Sequence, residues 1–199
     1  MNLPNKITVS RIAISIFILA FMIFPFYQIG VTLPTYTIAG YYELSLQYII
    51  AGALFIIASL TDFIDGHLAR KNNMVTDFGK TMDAIADKIL VNGVLIILAC
   101  NRDISVIVPV IIIVRDTVVD SIKMIAANKS GKAVPASIAG KIKTICMMSG
   151  ISFIFFNNLP FILLKFPIGD LLVLIATILS VYSGIEYFAH HRDAFMKDR

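Results

Sequence analysis

The sequence predicts an all-α integral membrane protein with six transmembrane helices, and three observations lead to this fold class. First, 58% of the 199 residues are hydrophobic and the mean hydropathy is +0.84, whereas soluble domains are about 45–50% apolar. Second, 15% of the residues are charged, against roughly 25% in soluble proteins. Third, six mostly apolar stretches are long enough for a helix that crosses a bilayer, which needs ~20 residues. We therefore expect one membrane domain over residues 1–199.

Glycine, proline and polar residues separate the six stretches, as expected for the ends of helices. The segment Gly30–Gly40, which contains Pro34, closes the first stretch, Asn128–Pro135 separates the fourth from the fifth, and Pro160 follows the fifth. The expected spans are Ile7–Ile29, Leu44–Arg70, Phe78–Cys100, Ile104–Ala127, Ala136–Asn157 and Phe166–His190.

Lysine and arginine are distributed unequally between the two ends of these spans. When the spans are threaded in order, one side of the membrane receives Arg102 and Lys165, Arg115 falls inside a span, and the remaining cationic residues fall on the other side. Because cytoplasmic loops are rich in lysine and arginine, both termini are expected in the cytoplasm. The same bias explains the formal charge of +4 without a nucleic acid partner.

Four aspartates lie inside the second and third expected spans, where a carboxylate costs several kcal/mol unless it meets a partner or water. Asp62 and Asp65 lie about one helical turn apart, and so do Asp83 and Asp87. The short connection between the spans predicts antiparallel neighbours, so both pairs are expected to face one cavity at the cytoplasmic end. Carboxylate oxygens suit Mg²⁺, Mn²⁺ or Ca²⁺, and four of them are enough to bridge two ions about 3.5–4 Å apart.

Small and cationic residues accompany the aspartates. Gly66 and Gly79 lie on the same two helical faces and leave room for a ligand, although small residues also allow close helix packing in membranes. Arg70 and Lys71 follow at the helix end and are able to bind phosphate, although cytoplasmic anchoring also explains them.

These residues belong to a longer pattern, DFIDGHLAR from Asp62 to Arg70, then eight residues, then GKTMDAIAD from Gly79 to Asp87. The pattern resembles the signature of the CDP-alcohol phosphatidyltransferase family, D-x-x-D-G-x-x-A-R, eight residues, G-x-x-x-D-x-x-x-D. All the fixed positions match, with the spacing intact.

The resemblance implies a metal-dependent phosphatidyltransferase with six membrane helices, usually a homodimer, in the plasma membrane. Its polar cavity opens to the cytoplasm, an acceptor hydroxyl attacks the lipid-bearing phosphorus of CDP-diacylglycerol, and CMP leaves. Two divalent cations, Mg²⁺ or Mn²⁺, are the implied cofactors. The implied metal ligands are Asp62, Asp65, Asp83 and Asp87, with Asp87 also the general base, and the implied donor contacts are Gly66, Arg70, Thr76 and Gly79.

Four further segments resemble the bacterial branch of the family that uses sn-glycerol 3-phosphate as acceptor and forms phosphatidylglycerophosphate. They are Leu3–Arg11, Ala58–Thr61, Gly140–Thr144 and Ser183–Phe188. This acceptor is a dianion and needs cations, and the candidates on the cytoplasmic half are Arg115, Lys123, Lys141 and Lys143.

The chain departs from that branch near the expected acceptor pocket. Ala84 stands where the branch usually has proline, Asp116 where it has glutamate, and Lys123 where it has arginine, which binds phosphate differently. Asp120 lies three residues before Lys123 and is positioned to neutralise it. Arg115 and Asp116 also allow a purely structural ion pair between helices.

Three alternatives remain open at this stage. A cardiolipin synthase, or another member of the family with a different acceptor, would keep the mechanism. An ion-coupled transporter would also place charges in the membrane, although the aspartates cluster at one face rather than at the midplane. A silent scaffold would be expected to lose an aspartate, and all four are present.

Overall fold

The computed structural model describes residues 3–38, 40, 42–71, 77–130 and 137–196, and side chains within 7–38, 40, 42–62, 79, 81–127 and 137–190. The described chain contains the six expected helices. They are α1 Leu3–Ile23, α2 Leu46–Lys71, α3 Asp77–Cys100, α4 Ile107–Ser130, α5 Ile138–Phe155 and α6 Ile168–Met196.

The expected first span is wrong at its end, because α1 stops at Ile23 rather than at Ile29. Pro25 lacks the N–H that a continuing helix would use and disfavours helical geometry in the residue before it. The chain turns instead through a short 3₁₀ helix, Phe26–Ile29, which closes on Gly30 with φ at 74°. Glycine adopts this left-handed geometry without steric cost.

A β-hairpin follows, so the expectation of a purely helical chain needs correction. Strand β1, Thr35–Ile38, pairs antiparallel with β2, Tyr42–Ser45, and Thr35 lies opposite Ser45. Threonine, tyrosine and isoleucine dominate β1 and favour extended backbone. The hairpin joins α1 to α2 at the end of the molecule far from the aspartates.

Two helices, α1 and α6, each pack against two others. Helix α1 packs against both α2 and α3, and α6 packs against both α4 and α5, while α5 also contacts α2. In the described residues α1 thus lies between α2 and α3, a position that the sequence did not predict. The helix between them brings its own polar side chains to the aspartates.

Burial along α1 follows a pattern typical of a lipid-facing helix. Thr8, Arg11 and Ser15 are buried, whereas Ile16 and Phe17 are each 55% exposed. A helix that contacts lipid is expected to direct its apolar side chains outward and its polar side chains inward. In the described residues, Ile138–Phe155 and Ile168–His190 are long and apolar enough to cross a bilayer, and shorter apolar helical stretches cover Ile7–Ile23 and Leu46–Asp62.

A polar cluster joins the other ends of α2 and α3. The Asn101 side chain donates to the Tyr48 hydroxyl at 2.7 Å, and that hydroxyl donates to Asp103. Burial raises the pKa of the Asp103 carboxyl, although the hydrogen bond from Tyr48 opposes the shift. The cluster ties the two helices together about 21 Å from Asp62, which lies 14 residues after Tyr48 on α2 at 1.5 Å per residue.

Gly150 allows α5 and α6 to approach closely. A Cβ atom at this position would lie 2.8 Å from Val173 Cγ2 and 3.0 Å from the Gly169 carbonyl oxygen. Gly150→Ala is therefore expected to lower the free energy of unfolding by about 1–3 kcal/mol, measured as the thermal midpoint in detergent. Gly140→Ala is the matched control, because its Cβ would meet Ser137 Oγ at 3.4 Å. Equal midpoints for the two variants would contradict this account of the α5–α6 contact.

Candidate active site

Arg11 of α1 joins the two aspartate-bearing helices. Its Nη1 is bonded to the Asp62 carboxylate on α2 and lies 3.7 Å from Asp83 Oδ1 on α3. Thr8, one turn earlier on α1, donates its hydroxyl to Asp83 Oδ1 at 2.7 Å. Arg11 is 1% exposed, whereas the Asp62 and Asp83 side chains are 43% and 45% exposed. The cation thus lies behind two carboxylates that keep a face open.

Sequence reasoning missed Thr8 and Arg11 as parts of this site. Arg11 was assigned only to membrane orientation and to the resemblance of the first segment. The signal was present in the spacing, because Thr8, Arg11 and Ser15 recur every three or four residues in a mostly apolar helix. Such spacing places polar groups on one helical face, and all three are buried.

A polar cavity of about 220 Å³ adjoins this site and opens between α3, α4, α5 and α6. Asp87 lies on its wall, one turn beyond Asp83, and is half-buried. Three of the four expected acceptor cations share this wall with Asp87; they are Arg115, Lys123 and Lys143. The fourth, Lys141, is exposed and is not among the residues that line the cavity.

Asp116 organises two of these cations. It accepts hydrogen bonds from Lys143 Nζ at 2.8 and 2.9 Å, and from Arg115 Nη1 at 2.8 Å. Arg115 also donates from Nε to the Ser180 carbonyl oxygen at 3.0 Å, and from Nη2 to the Ser183 hydroxyl. The ion pair considered from the sequence therefore exists within α4, and Lys143 supplies the partner from a second helix.

Asp120 acts on Lys123 as expected, but the cation bonded to it comes from another helix. Its carboxylate is bonded to Lys88 of α3, which follows Asp87 directly. The Lys123 ammonium lies 5.0 Å from the centre of the Tyr187 ring on α6, within the reach of a cation–π interaction. The negative charge of Asp120, which distinguishes this chain from the branch, is thus paired with the positive charge of Lys88 on the facing helix.

Comparison with known proteins decides the family. Residues 1–182 match the model of the CDP-alcohol phosphatidyltransferase family. The chain belongs to this family. The family predicted from the aspartate motif is confirmed. The chain is accordingly a membrane phosphatidyltransferase.

Curated relatives are similar over nearly the whole chain. The CDP-diacylglycerol–glycerol-3-phosphate 3-phosphatidyltransferase of Bacillus subtilis is 39% identical over 97% of this chain and 96% of its own length. The protein of the same name from Rickettsia bellii is 34% identical over 94% and 93%. The apo structure of Mycobacterium tuberculosis phosphatidylinositol phosphate synthase has a TM-score of 0.56 at 19% identity, covering 98% and 93% of the two chains. That likeness supports the fold alone.

The described aspartates fit the divalent cations that the family generally uses. Asp62 and Asp83 offer only oxygen atoms, keep an open face, and already gather around one cation, Arg11. Oxygen ligands of this kind suit hard divalent ions. Among the side chains that the structure describes, no three His, Cys, Asp or Glu residues come close enough to hold a metal ion. The four-aspartate set stays a prediction, because the Asp65 side chain lies outside that part of the chain.

Three expected donor contacts lie outside the described side chains as well, namely Gly66, Arg70 and Thr76. The fourth, Gly79, is buried one turn before Asp83 on α3. Their roles toward the CDP donor stay predictions that follow from the motif.

The Lys88–Asp120 pair yields a prediction about charge at the cavity. Asp120→Asn removes one negative charge and releases Lys88, so an anionic acceptor is expected to bind more tightly. Because both side chains are 43% exposed, the expected decrease in acceptor KM is modest, about threefold. The control is Asp170→Asn, an exposed aspartate at the opposite end of the bundle. An unchanged or higher acceptor KM in Asp120→Asn would contradict this electrostatic role.

Proposed function

We propose that this protein transfers the phosphatidyl group of CDP-diacylglycerol to sn-glycerol 3-phosphate, forming phosphatidylglycerophosphate and releasing CMP. One observation carries the proposal: Asp87, the expected base, shares a single cavity with three cationic side chains. The names of the Bacillus subtilis and Rickettsia bellii relatives support the same acceptor.

The cavity suits an acceptor that carries both a dianion and a hydroxyl. Arg115, Lys123 and Lys143 bind the phosphate group, since guanidinium and ammonium groups are strong donors to phosphate oxygens. This anchors the acceptor with a hydroxyl toward Asp87. The Asp87 carboxylate takes the hydroxyl proton as the new oxygen–phosphorus bond forms and the bond to CMP breaks.

Two Mg²⁺ or Mn²⁺ ions held by Asp62, Asp65, Asp83 and Asp87 are the proposed cofactors. When bound, they neutralise the pyrophosphate of the donor and the charge that develops on departing CMP. The chain supports their ligands from behind, because Arg11 and Thr8 fix the Asp62 and Asp83 carboxylates.

The donor is proposed to lie along α2 and the start of α3. In this proposal, which follows from the motif, Gly66 and Gly79 give the donor room, and Arg70 and Thr76 contact its CDP group. Its two acyl chains then remain in the bilayer against the apolar outer faces of the helices.

The proposed arrangement in the cell has six spans, with both termini and the cavity on the cytoplasmic side of the plasma membrane. The positive bias of the connections supports this orientation. A homodimer is proposed from the family resemblance and is measurable by light scattering in detergent.

The test follows radiolabelled sn-glycerol 3-phosphate from water into the lipid extract, with purified protein, CDP-diacylglycerol and Mg²⁺. Unlabelled phosphatidylglycerol and inositol 1-phosphate are offered in parallel reactions that monitor CMP. Label in the lipid phase supports the proposal. CMP release only with phosphatidylglycerol would reassign the protein as a cardiolipin synthase. Metal-dependent solute uptake by proteoliposomes without CMP release would favour a transporter.

A further inference from the structure

Tyr187 of α6 contacts two elements of the acceptor cavity although it carries no charge. Its side chain is 5% exposed and lines the cavity. The Lys123 ammonium lies 5.0 Å from the centre of its ring. At the far edge of the ring, the Tyr187 hydroxyl accepts a hydrogen bond from the Ser137 backbone N–H at 2.8 Å. One residue therefore links a side chain of α4 to the start of α5.

The hydrogen bond to the Tyr187 hydroxyl fixes the ring to the N-terminus of α5. Ser137 is the N-cap of α5, and its Oγ accepts a hydrogen bond from the Gly140 backbone N–H at 3.1 Å. Capping of this kind satisfies an otherwise unpaired N–H of the first helical turn. Because the ring is anchored to this cap, its face stays directed at Lys123.

Lys123 differs from the other cations on the cavity wall. Among the described residues that line the cavity, the other cations are each bonded to a carboxylate: Lys88 to Asp120, and Arg115 and Lys143 to Asp116. A ring attracts an ammonium through its π face and accepts none of its N–H donors in strong hydrogen bonds. Lys123 is thus held in place with its donors available to a ligand.

We infer that Tyr187 is a positioning residue for the acceptor: its ring, anchored by the hydroxyl, sets the place of the Lys123 ammonium in the cavity. Acceptor affinity then depends on Tyr187, and donor affinity does not. The inference rests on the proposed function, because it assumes that an anionic acceptor occupies this cavity.

The test compares KM for sn-glycerol 3-phosphate with KM for CDP-diacylglycerol in variants of the full-length protein. Tyr187→Leu removes the ring and is expected to raise the acceptor KM about tenfold with the donor KM unchanged. Tyr187→Met is a second ring-removing variant in case Tyr187→Leu does not fold. Tyr187→Phe keeps the ring but loses the hydrogen bond to Ser137, so the acceptor KM is expected to rise about threefold, less than in Tyr187→Leu. Tyr182→Leu is the matched control, because Tyr182 is an exposed tyrosine of the same helix.

A double-mutant cycle with Lys123→Ala separates positioning from a general structural role. If Tyr187 acts through Lys123, Tyr187→Leu adds less than a further twofold to the acceptor KM of Lys123→Ala. Independent, multiplying effects would overturn the inference, as would equal increases in both KM values or a Tyr187→Leu variant that matches Tyr182→Leu. A wild type that shows no turnover with sn-glycerol 3-phosphate would refute the proposed function, and the inference with it.

Discussion

Asp87→Asn is expected to abolish CMP release, lowering the rate by at least about a thousandfold. Loss of a general base costs on the order of 10²–10⁴ in rate, and the amide also removes one of the four proposed metal ligands. Steady-state CMP release measures the rate, and a titration with CDP-diacylglycerol measures donor binding, which is expected to persist in weakened form.

The control for this variant is Asp170→Asn, which makes the same chemical change on an exposed residue far from the cavity. It is expected to retain wild-type turnover. A rate for Asp87→Asn within about threefold of the wild type would show that another group accepts the proton.

Arg11→Met is expected to destabilise the metal-free protein and to make its stability depend strongly on Mg²⁺. Arg11 is buried and joins Asp62 to Asp83, so its removal leaves two neighbouring carboxylates without this cation. Breaking a buried ion pair costs about 3–5 kcal/mol. Because both carboxylates are partly exposed to solvent, we expect a loss of stability at the lower end of this range. The thermal midpoint in detergent is measured with chelator and with Mg²⁺.

Binding of Mg²⁺ to the carboxylates is expected to restore most of the lost midpoint, because a ligand that binds the folded state stabilises it. The shift caused by Mg²⁺ should therefore be larger in Arg11→Met than in the wild type. The control is Arg102→Met, in the connection between α3 and α4 at the other end of the bundle. An equal Mg²⁺ shift in all three proteins would argue against a divalent site beside Arg11.

Much of the architecture follows from the sequence because it depends on local features. The six helices arise from apolar stretches of sufficient length, and the interruptions between them contain glycine and proline. The family follows from the spacing of Asp62, Asp65, Asp83 and Asp87, which is a property of the chain itself. Asp87 lies on a cationic cavity in the structure, and a single site that joins all four aspartates stays a prediction.

The contacts between helices were harder to derive. Sequence spacing places residues on a helical face but does not say which helix that face meets, so the position of α1 between α2 and α3 was missed. Arg11 was counted only among the cytoplasmic cations, since lysine and arginine near helix ends commonly set the orientation. Spacing along α4 related Asp120 to Lys123, but it gave no sign that packing would bring Lys88 of α3 to Asp120 as its bonded partner.

The hairpin and the early end of α1 were missed for a different reason. Phe24, Phe26 and Ile29 continue the apolar character of α1, and only Pro25 and Gln28 mark the break. Hydropathy describes the environment of a segment and not its backbone geometry, so an apolar turn is counted as part of the span.

The measurement that tests the central claim most directly is CMP release by the purified protein in detergent with CDP-diacylglycerol, with and without sn-glycerol 3-phosphate and Mg²⁺. The account predicts release only when both are present, with complete loss on chelation and recovery when excess Mg²⁺ or Mn²⁺ is restored. Release that proceeds equally without sn-glycerol 3-phosphate, or that survives chelation, would contradict a metal-dependent transfer to this acceptor.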